Sequence, residues 1–175
     1  MPATHPEPVI ERLDPERLDE LEPLWGALLA RHAEVWALLP MRSAEETWKR
    51  RRRQYEGWLA DESSFVLVAR REVAPIGYIL VAIAEGDETY QTGERMARIQ
   101  TLVVADGERN AGVGGRLFDA AMREVERLGI DDLLVGQMHG NDAARRFYER
   151  RGFTPFVHLL YAKRPGAGTD TGEDT

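Results

Sequence analysis

Hydrophobic positions follow two different periods along the chain, and the changes of period predict an order of elements. The run PVIERL (8–13) is a short apolar stretch typical of a strand. After Asp14-Pro15, and again after Ser43, apolar residues recur every three or four positions, which predicts two helices. Glu46, three positions after Ser43, completes a capping-box pattern. The N-terminal part is therefore predicted as a strand followed by two helices.

The following stretches have the composition of strands that alternate with helices. SSFVLVAR (63–70) and APIGYILVAIA (74–84) flank a short turn at Glu72, which predicts a hairpin. The remaining predicted elements are a strand over 96–105, a helix over 112–128 ended by Gly129, a strand over 131–138, a helix over 141–151 and a strand over 153–164. A strand, a helix and a second strand within about 30 residues predict a parallel pair. The fold class is therefore mixed α/β.

Length and composition are those of one globular domain. The chain has 175 residues, of which 43% are hydrophobic and 30% charged. We place the domain at 8–164, after a polar, proline-containing lead-in over 1–7. The tail over 165–175 has no apolar periodicity, so we expect it to be disordered.

Charge and residue counts narrow the function classes. The chain has no cysteine, which excludes disulfides, thiolate metal sites and a cysteine nucleophile. The net charge of -7 argues against a general nucleic-acid binder. There is no apolar run near the roughly 20 residues that span a bilayer, no secretory pattern and no His/Asp/Glu spacing typical of a metal site. We expect a cytoplasmic protein that binds neither nucleic acid nor membrane and holds no metal.

The segment ERNAGVGGRL (108–117) places glycines at the start of the helix predicted over 112–128. A helix N-terminus offers free N–H groups and partial positive charge to an anion, and glycine lets the backbone approach it closely. A tight strand-to-helix turn without a ligand is the simplest alternative. A P-loop needs Lys and a hydroxyl where Arg116 and Leu117 stand, and a dinucleotide fingerprint needs a third glycine at Leu117. Neither nucleotide pattern is met.

Two motifs in the same order resemble the GNAT superfamily of acyl-CoA-dependent N-acyltransferases. RNAGVG (109–114) fits that family's Q/R-x-x-G-x-G/A pattern, within LVVADGERNAGVGG (102–115). NDAARRFYERRGF (141–153) is similar to the family's N-x-x-A-x-x-F-Y-x-x-x-G-F segment. The resemblance covers about residues 96–164. It implies a single domain with a mixed, mostly antiparallel sheet of six to seven strands, a splayed parallel pair and about four flanking helices.

The resemblance also implies a donor, acetyl-CoA, and residues that hold it. The pyrophosphate would lie on the backbone N–H groups of Asn110, Ala111, Gly112, Val113, Gly114 and Gly115. Arg109 and Arg116 would add positive charge, and Asn141 would contact the cofactor. The pantetheine arm would pair with the strand edge at Leu102, Val103 and Val104, whose free N–H groups could also stabilise the oxyanion.

For the chemistry itself, Tyr148 is the candidate that protonates the departing thiolate, unless it only packs the last helix as an aromatic partner of Phe147. Many relatives carry an acid on the strand before the glycine loop, where this chain has Gln100 or Thr101. Substitutes as the general base are Glu94, Glu88, Asp87 and His139, each of which has the simpler interpretation of a solvated loop residue. The missing acid leaves a non-catalytic CoA-binding or regulatory module as the alternative to an enzyme.

The acceptor is predicted only as a primary amine of a small molecule or peptide, because the N-terminal half shows no motif. Relatives often dimerise, so a homodimer is possible. The basic run KRRRR (49–53) is expected to be a solvated helix surface, with anion binding as its alternative.

Overall fold

The computed structural model describes residues 7–36 and 39–164. The chain divides into two compact units, Met1–Asn141 and Asp142–Thr175. The predicted lead-in, except Glu7, and the whole predicted tail lie outside the described residues. The single domain over 8–164 stays a prediction.

The order of elements follows the sequence prediction closely up to residue 149. In chain order they are β1 (Val9–Arg12), a 3-10 helix (Pro15–Leu21), α1 (Glu22–Val35), α2 (Ala44–Leu59), β2 (Phe65–Arg71), β3 (Ala74–Glu85), β4 (Arg95–Val104), a second 3-10 helix (Asp106–Glu108), α3 (Val113–Arg127), β5 (Asp132–Val135) and α4 (Asp142–Glu149). The predicted cap of α2 is confirmed, because the Ser43 hydroxyl accepts the backbone N–H of Glu46 at 3.2 Å. Gly129, at φ 66°, follows the end of α3 as predicted.

The strands form one sheet in the order β1-β2-β3-β4-β5. The first four strands pair antiparallel with their neighbours, whereas β4 and β5 pair parallel. The predicted hairpin is β2–β3, which turns at Glu72. A mixed, mostly antiparallel sheet with one parallel pair is therefore confirmed.

The strand count and the closing strand were predicted wrongly. The described residues form a sheet of five strands, not six to seven. The segment 153–164, predicted as a strand, pairs with no strand of the described chain. Leu159 and Leu160 are 94% and 97% exposed within the described residues. Pro155 also lacks the N–H that a strand ladder needs.

The sheet lies between two layers of helix. Tyr78 of β3 belongs to the buried cluster that α1, α2 and the first 3-10 helix build on one face. Gly77 is the preceding residue, and a Cβ there would lie 3.2 Å from Leu117 of α3. Successive strand residues point to opposite faces, so α3 packs on the other side. The buried cluster on the first face consists of Leu13, Leu18, Leu21, Leu24, Trp25, Trp48, Tyr55, Val66, Val68, Tyr78, Leu80, Ala82 and Val103.

We expect Gly77→Ala to lower the free energy of unfolding by about 1–3 kcal/mol, because α3 and β4 leave no room for a methyl group. The new Cβ would lie 2.9 Å from the carbonyl oxygen of Val103. Gly57→Ala in α2 is the matched control, since its Cβ would meet nothing within 4 Å. The control should stabilise the chain by about 0.5–1 kcal/mol through helix propensity. Urea unfolding of both variants checks this, and an unchanged midpoint for Gly77→Ala would contradict it.

Candidate active site

The parallel pairing of β4 with β5 covers only the first half of β4, because β5 ends at Val135. Their parallel pairing runs from Met96 opposite Asp132 to Ile99 opposite Val135 and stops there. On its other edge β4 stays paired with β3 as far as Val104. From residue 100 to 104 the edge that faces β5 therefore has no strand partner among the described residues. The parallel pair is confirmed, and the splay that the resemblance implied stays a prediction.

The open edge contains the three strand residues expected to hold pantetheine. The side chain of Val103 is buried in the core, and those of Leu102 and Val104 are half-buried. The unpaired polar groups of this edge belong to the main chain, because a strand keeps its N–H and C=O groups in the plane of the sheet. Core packing and main-chain binding are thus compatible at these positions.

A β-bulge lies in β4 directly after its pairing with β5 ends. Leu80 lies opposite Thr101 and Val81 lies opposite Ile99, which leaves Gln100 as an extra residue in β4. Bulges bend and twist a strand and end its pairing, so they are common beside active sites. The bulge thus adds a local distortion of β4 at the start of the open edge.

The glycine loop leads from this edge into α3 with two left-handed residues. Asn110 has φ 62° and Gly112, the N-cap of α3, has φ 78°. Gly112 offers no side chain as a cap, and the first turn of α3 contains no acidic residue. A Cβ on Gly112 would meet nothing within 4 Å, so the space beside the helix start is open. The start of α3, with Val113, Gly114 and Gly115, therefore presents backbone N–H groups suited to an anion.

The two arginines expected to add positive charge are both engaged in ion pairs. Arg109 lies 2.9 Å from Asp106, and Arg116 pairs with Glu7. The carboxylates are 73% and 80% exposed, and exposed pairs of this kind contribute little to stability. An anion at the loop could replace either carboxylate at small cost.

Tyr148 lies in α4, within the second unit. Its ring packs edge-on against Phe147 at 5.2 Å and Phe153 at 5.4 Å, between ring centroids. The side chain is buried, and that burial raises the pKa of the Tyr148 phenol to about 12. Asn141 is the last residue of the first unit, where its N–H donates to the carbonyl oxygen of Met138 at 3.0 Å.

No carboxylate replaces the one that relatives often carry on this strand. Thr101 is buried, and its hydroxyl lies 2.6 Å from the hydroxyl of Tyr55, which in turn lies 3.0 Å from that of Tyr78. Burial raises the pKa of Tyr78 well above its usual value, so the Tyr78 hydroxyl keeps its proton. These hydroxyls are hydrogen-bonding groups, not bases.

The other candidate bases lie in the connecting segments outside β4. Glu94 precedes β4, about 20 Å along the strand from Gln100 at 3.3 Å per residue. Asp87 accepts the N–H groups of Thr89 and Tyr90, which lowers its pKa and fixes it as a turn residue. His139 follows β5, where its ring packs edge-on against Trp36 at 6.2 Å.

Residues 27–153 match the model of the acetyltransferase (GNAT) family, which is more than half of the chain. The chain belongs to the GNAT family. The family assignment thus rests on the match over residues 27–153, which includes parts of both units.

Relatives of known name or structure agree with this family. The chain is 29% identical over 168 residues to a mycothiol acetyltransferase from Thermobispora bispora, covering 93% of this chain but only 55% of that protein. The chain thus spans about half the length of this curated relative. A predicted acetyltransferase from Clostridium acetobutylicum, solved with acetyl-CoA, has a TM-score of 0.70 at 15% identity and covers 89% of this chain and 96% of its own. A GCN5-related N-acetyltransferase from Ralstonia eutropha has a TM-score of 0.68 at 20% identity, with 89% and 98% covered.

Among the described residues, every helix is too short or too polar to span a bilayer. Within the same part of the chain there is no group of three or more His, Cys, Asp or Glu side chains placed to hold a metal ion.

The prediction of a solvated helix surface over 49–53 was wrong for Arg51 in this GNAT chain. The basic run 49–53 was interpreted as a solvated surface, but Arg51 donates to the carbonyl oxygen of Gln100 at 3.2 Å, at the bulge. A signal was present in the sequence, since Arg51 lies three positions after Trp48 and four before Tyr55. That spacing places it on the apolar face of α2, not on the solvated one.

Proposed function

We propose that this chain binds acetyl-CoA along the open edge of β4 and at the N-terminus of α3, and transfers the acetyl group to a primary amine. The observation that carries the proposal is the continuity of these two features. One segment runs from the bulge at Gln100, along an edge without a strand partner, to the left-handed N-cap at Gly112. An extended amide chain fits the first part and a pyrophosphate fits the second.

The donor is held mainly by main-chain groups in this proposal. N–H groups of 110–115 receive the pyrophosphate, with Arg109 and Arg116 exchanging their exposed carboxylate partners for phosphate oxygens. The pantetheine amides pair with the edge at 102–104. Asn141 is assigned a cofactor contact from the family register alone. The structural neighbour from Clostridium acetobutylicum supports the donor, since that protein was solved with acetyl-CoA.

The reaction is a direct attack. The acceptor nitrogen forms a bond to the thioester carbonyl carbon, the C–S bond breaks, and the CoA thiolate leaves. The amine loses one proton and the thiolate gains one. N–H groups of the open edge near Gln100 stabilise the oxyanion of the intermediate, and the Tyr148 hydroxyl donates to the thiolate.

The acceptor amine enters already neutral, because no base stands at Gln100 or Thr101. An amine with a pKa near 10.4 is neutral in only about one molecule in 2,500 at pH 7, whereas an α-amine near 7.8 is neutral in about one in seven. The proposal therefore favours acceptors whose amine has a low pKa.

The pH dependence of kcat/KM follows from the acceptor amine and from Tyr148. With a lysine-like acceptor we expect kcat/KM to rise about tenfold per pH unit between pH 7 and 9, because only the neutral amine attacks. Tyr148, whose pKa is about 12, keeps its proton over this range and so produces no falling limb below pH 10. Initial rates from pH 6 to 10 test this. A fall in kcat/KM between pH 8 and 10 would show that a group with a pKa below that of Tyr148 must stay protonated for the reaction.

A direct test has two stages. Isothermal titration with acetyl-CoA should give saturable binding, and the absence of binding at hundreds of micromolar would refute the proposal. Thiol release is then measured over a panel of polyamines, amino acids, peptides, aminoglycosides and a mycothiol-type amine, the last included because of the relative from Thermobispora bispora. Binding without any thiol release would instead support a non-catalytic CoA-binding module, which the neutral residues Gln100 and Thr101 make a definite alternative.

A further inference from the structure

Arg51 differs from the other cations of the basic run on α2. Lys49 and Arg50 form ion pairs with Glu45 and Glu46, at 2.6 and 3.1 Å. Arg52 lies 2.9 Å from a carboxylate oxygen of Asp19 and 2.6 Å from one of Glu56. Arg53 is exposed, and its Nε donates to the carbonyl oxygen of Lys49 at 3.3 Å. These contacts place Lys49, Arg50 and Arg53 on the solvated side of the helix. Arg52 is partly buried like Arg51, but unlike Arg51 it is paired with the carboxylates of Asp19 and Glu56.

The guanidinium of Arg51 lies against three aromatic rings. Its central carbon is 4.8 Å from the ring centre of Trp25, 5.4 Å from that of Tyr55 and 5.5 Å from that of Trp58. Nη2 reaches the bulge, where it donates to the Gln100 carbonyl oxygen at 3.2 Å and lies 3.4 Å from the Thr101 hydroxyl. The aromatic faces fix the plane of the guanidinium and keep its charge partly desolvated.

The charge of Arg51 has no carboxylate partner within the described residues. The three aromatic contacts and the neutral acceptors around it do not balance a full positive charge. Its Nε is shielded from solvent and finds no hydrogen-bond acceptor in the same part of the chain. The Arg51 cation also acts on His32, because burial and this positive charge together lower the pKa of His32. A partly desolvated cation without a counter-ion is costly unless an anion completes it.

The surface side of the guanidinium is the place for that anion. Nη1 donates to Oε1 of Gln54 at 3.2 Å, and Gln54 is an exposed residue. A carboxylate could replace this neutral oxygen and accept a charge-assisted hydrogen bond from Nη1.

The position of Arg51 excludes the donor's phosphates as the anion that binds to its guanidinium. Arg51 contacts Gln100, at the start of the open edge, whereas the glycine loop follows its end at Val104. The strand alone separates these two ends by about 13 Å. In the proposed function the pyrophosphate occupies the loop, and the thioester and the attacking amine lie toward the bulge. An anion at Arg51 therefore belongs to the acceptor.

We infer that Arg51 binds a carboxylate of the acceptor, so that the acceptor is a short peptide or another small amine that carries a carboxylate. This inference rests on the proposed function, because it takes the bulge as the acceptor end of the site. Arg51 acts as a specificity-determining residue. Its aromatic surroundings hold the guanidinium in place before the acceptor binds.

The test compares acceptors that differ only in charge. Thiol release is measured with alanine, alaninamide, β-alanine and β-alaninamide, for wild type, Arg51→Met, Arg51→Lys and the control Arg53→Met. For Arg51→Met we expect kcat/KM to fall about 50-fold or more with the two carboxylates and less than about threefold with the two amides. Arg51→Lys keeps the charge without the planar fork, so it should fall about tenfold with the carboxylates. Arg53→Met should leave all four values within about twofold.

Each variant is compared with wild type for the same acceptor, so differences in amine pKa cancel. Equal falls for carboxylates and amides would overturn the inference and assign Arg51 to holding the bulge. If Arg51→Met does not fold, Arg51→Lys gives the same test. A fall in its kcat/KM with the two carboxylates but not with the two amides supports the inference.

A binding measurement separates failure of this inference from failure of the proposed function. N-acetylalanine and N-acetylalaninamide are titrated into the CoA-bound protein by calorimetry. Wild type should bind the carboxylate at least about tenfold more tightly than the amide, and Arg51→Met should lose that preference. Equal affinity in wild type overturns the inference even where transfer is seen. The expected preference without any turnover supports Arg51 as an anion site while refuting the transfer reaction.

Discussion

Gly112→Glu is expected to abolish acetyl-CoA binding, with a loss of at least about 100-fold in affinity, while the chain stays folded. A Cβ at Gly112 points into open space at the start of α3, which is where the proposed pyrophosphate lies. The glutamate would therefore fill the anion site with a side chain of the same charge as the ligand. The fold should tolerate it at the cost of a left-handed non-glycine residue, about 1–2 kcal/mol. Calorimetric titration and urea unfolding measure the two effects separately.

Gly129→Glu is the matched control for that experiment. Gly129 also has positive φ, 66°, and a Cβ there would likewise meet nothing within 4 Å. It follows the other end of α3, about 23 Å away for a helix of fifteen residues at 1.5 Å each. The control therefore has the same backbone strain and the same added charge, but away from the loop. It should lose similar stability and retain acetyl-CoA binding. Equal loss of binding in both variants would mean that strain, not occupation of an anion site, explains the effect.

The glycine loop and the helix that follows it were predictable from the sequence because they depend on local rules. A glycine at a left-handed N-cap, small residues around it and an amphipathic helix behind it are set within one continuous segment, Gly112 to Arg127. The predicted helix over 112–128 and the observed α3, Val113–Arg127, accordingly differ by one residue at each end. The parallel pair before and after that helix follows from the connection alone.

The acceptor side was not predictable in the same way, because it depends on contacts between distant residues. Arg51 meets Gln100 across 49 positions of sequence, and the bulge that exposes the Gln100 carbonyl arises only from the register of β3 against β4. A run of five basic residues gives no sign of which one turns inward unless the aromatic spacing of the same helix is used. The strand predicted over 153–164 was wrong for a related reason, since β-propensity does not reveal whether a segment has a partner strand to pair with.

Tyr148→Phe is expected to lower kcat by about 10- to 100-fold while acetyl-CoA affinity stays within about twofold. The variant removes one hydroxyl and keeps the ring that packs against Phe147 and Phe153. A hydrogen bond to a charged group is worth about 1.5–3 kcal/mol, which corresponds to the fall in rate predicted here. Single-turnover rates and calorimetric titration measure the two quantities.

The raised pKa of Tyr148 decides what kind of help this hydroxyl gives. Its pKa of about 12 lies above that of a thiol, so complete transfer of its proton to the thiolate is uphill. The gap of about 3.5 pKa units amounts to about 5 kcal/mol. We therefore expect Tyr148 to stabilise the leaving thiolate as a hydrogen-bond donor, while the proton that ends on sulfur comes from the acceptor ammonium or from water. Tyr161→Phe, at an exposed tyrosine, is the matched hydroxyl deletion and should leave kcat unchanged. If Tyr148→Phe also leaves kcat unchanged, Tyr148 serves only to pack the aromatic cluster of α4, and the thiolate leaves without a protein donor at that position.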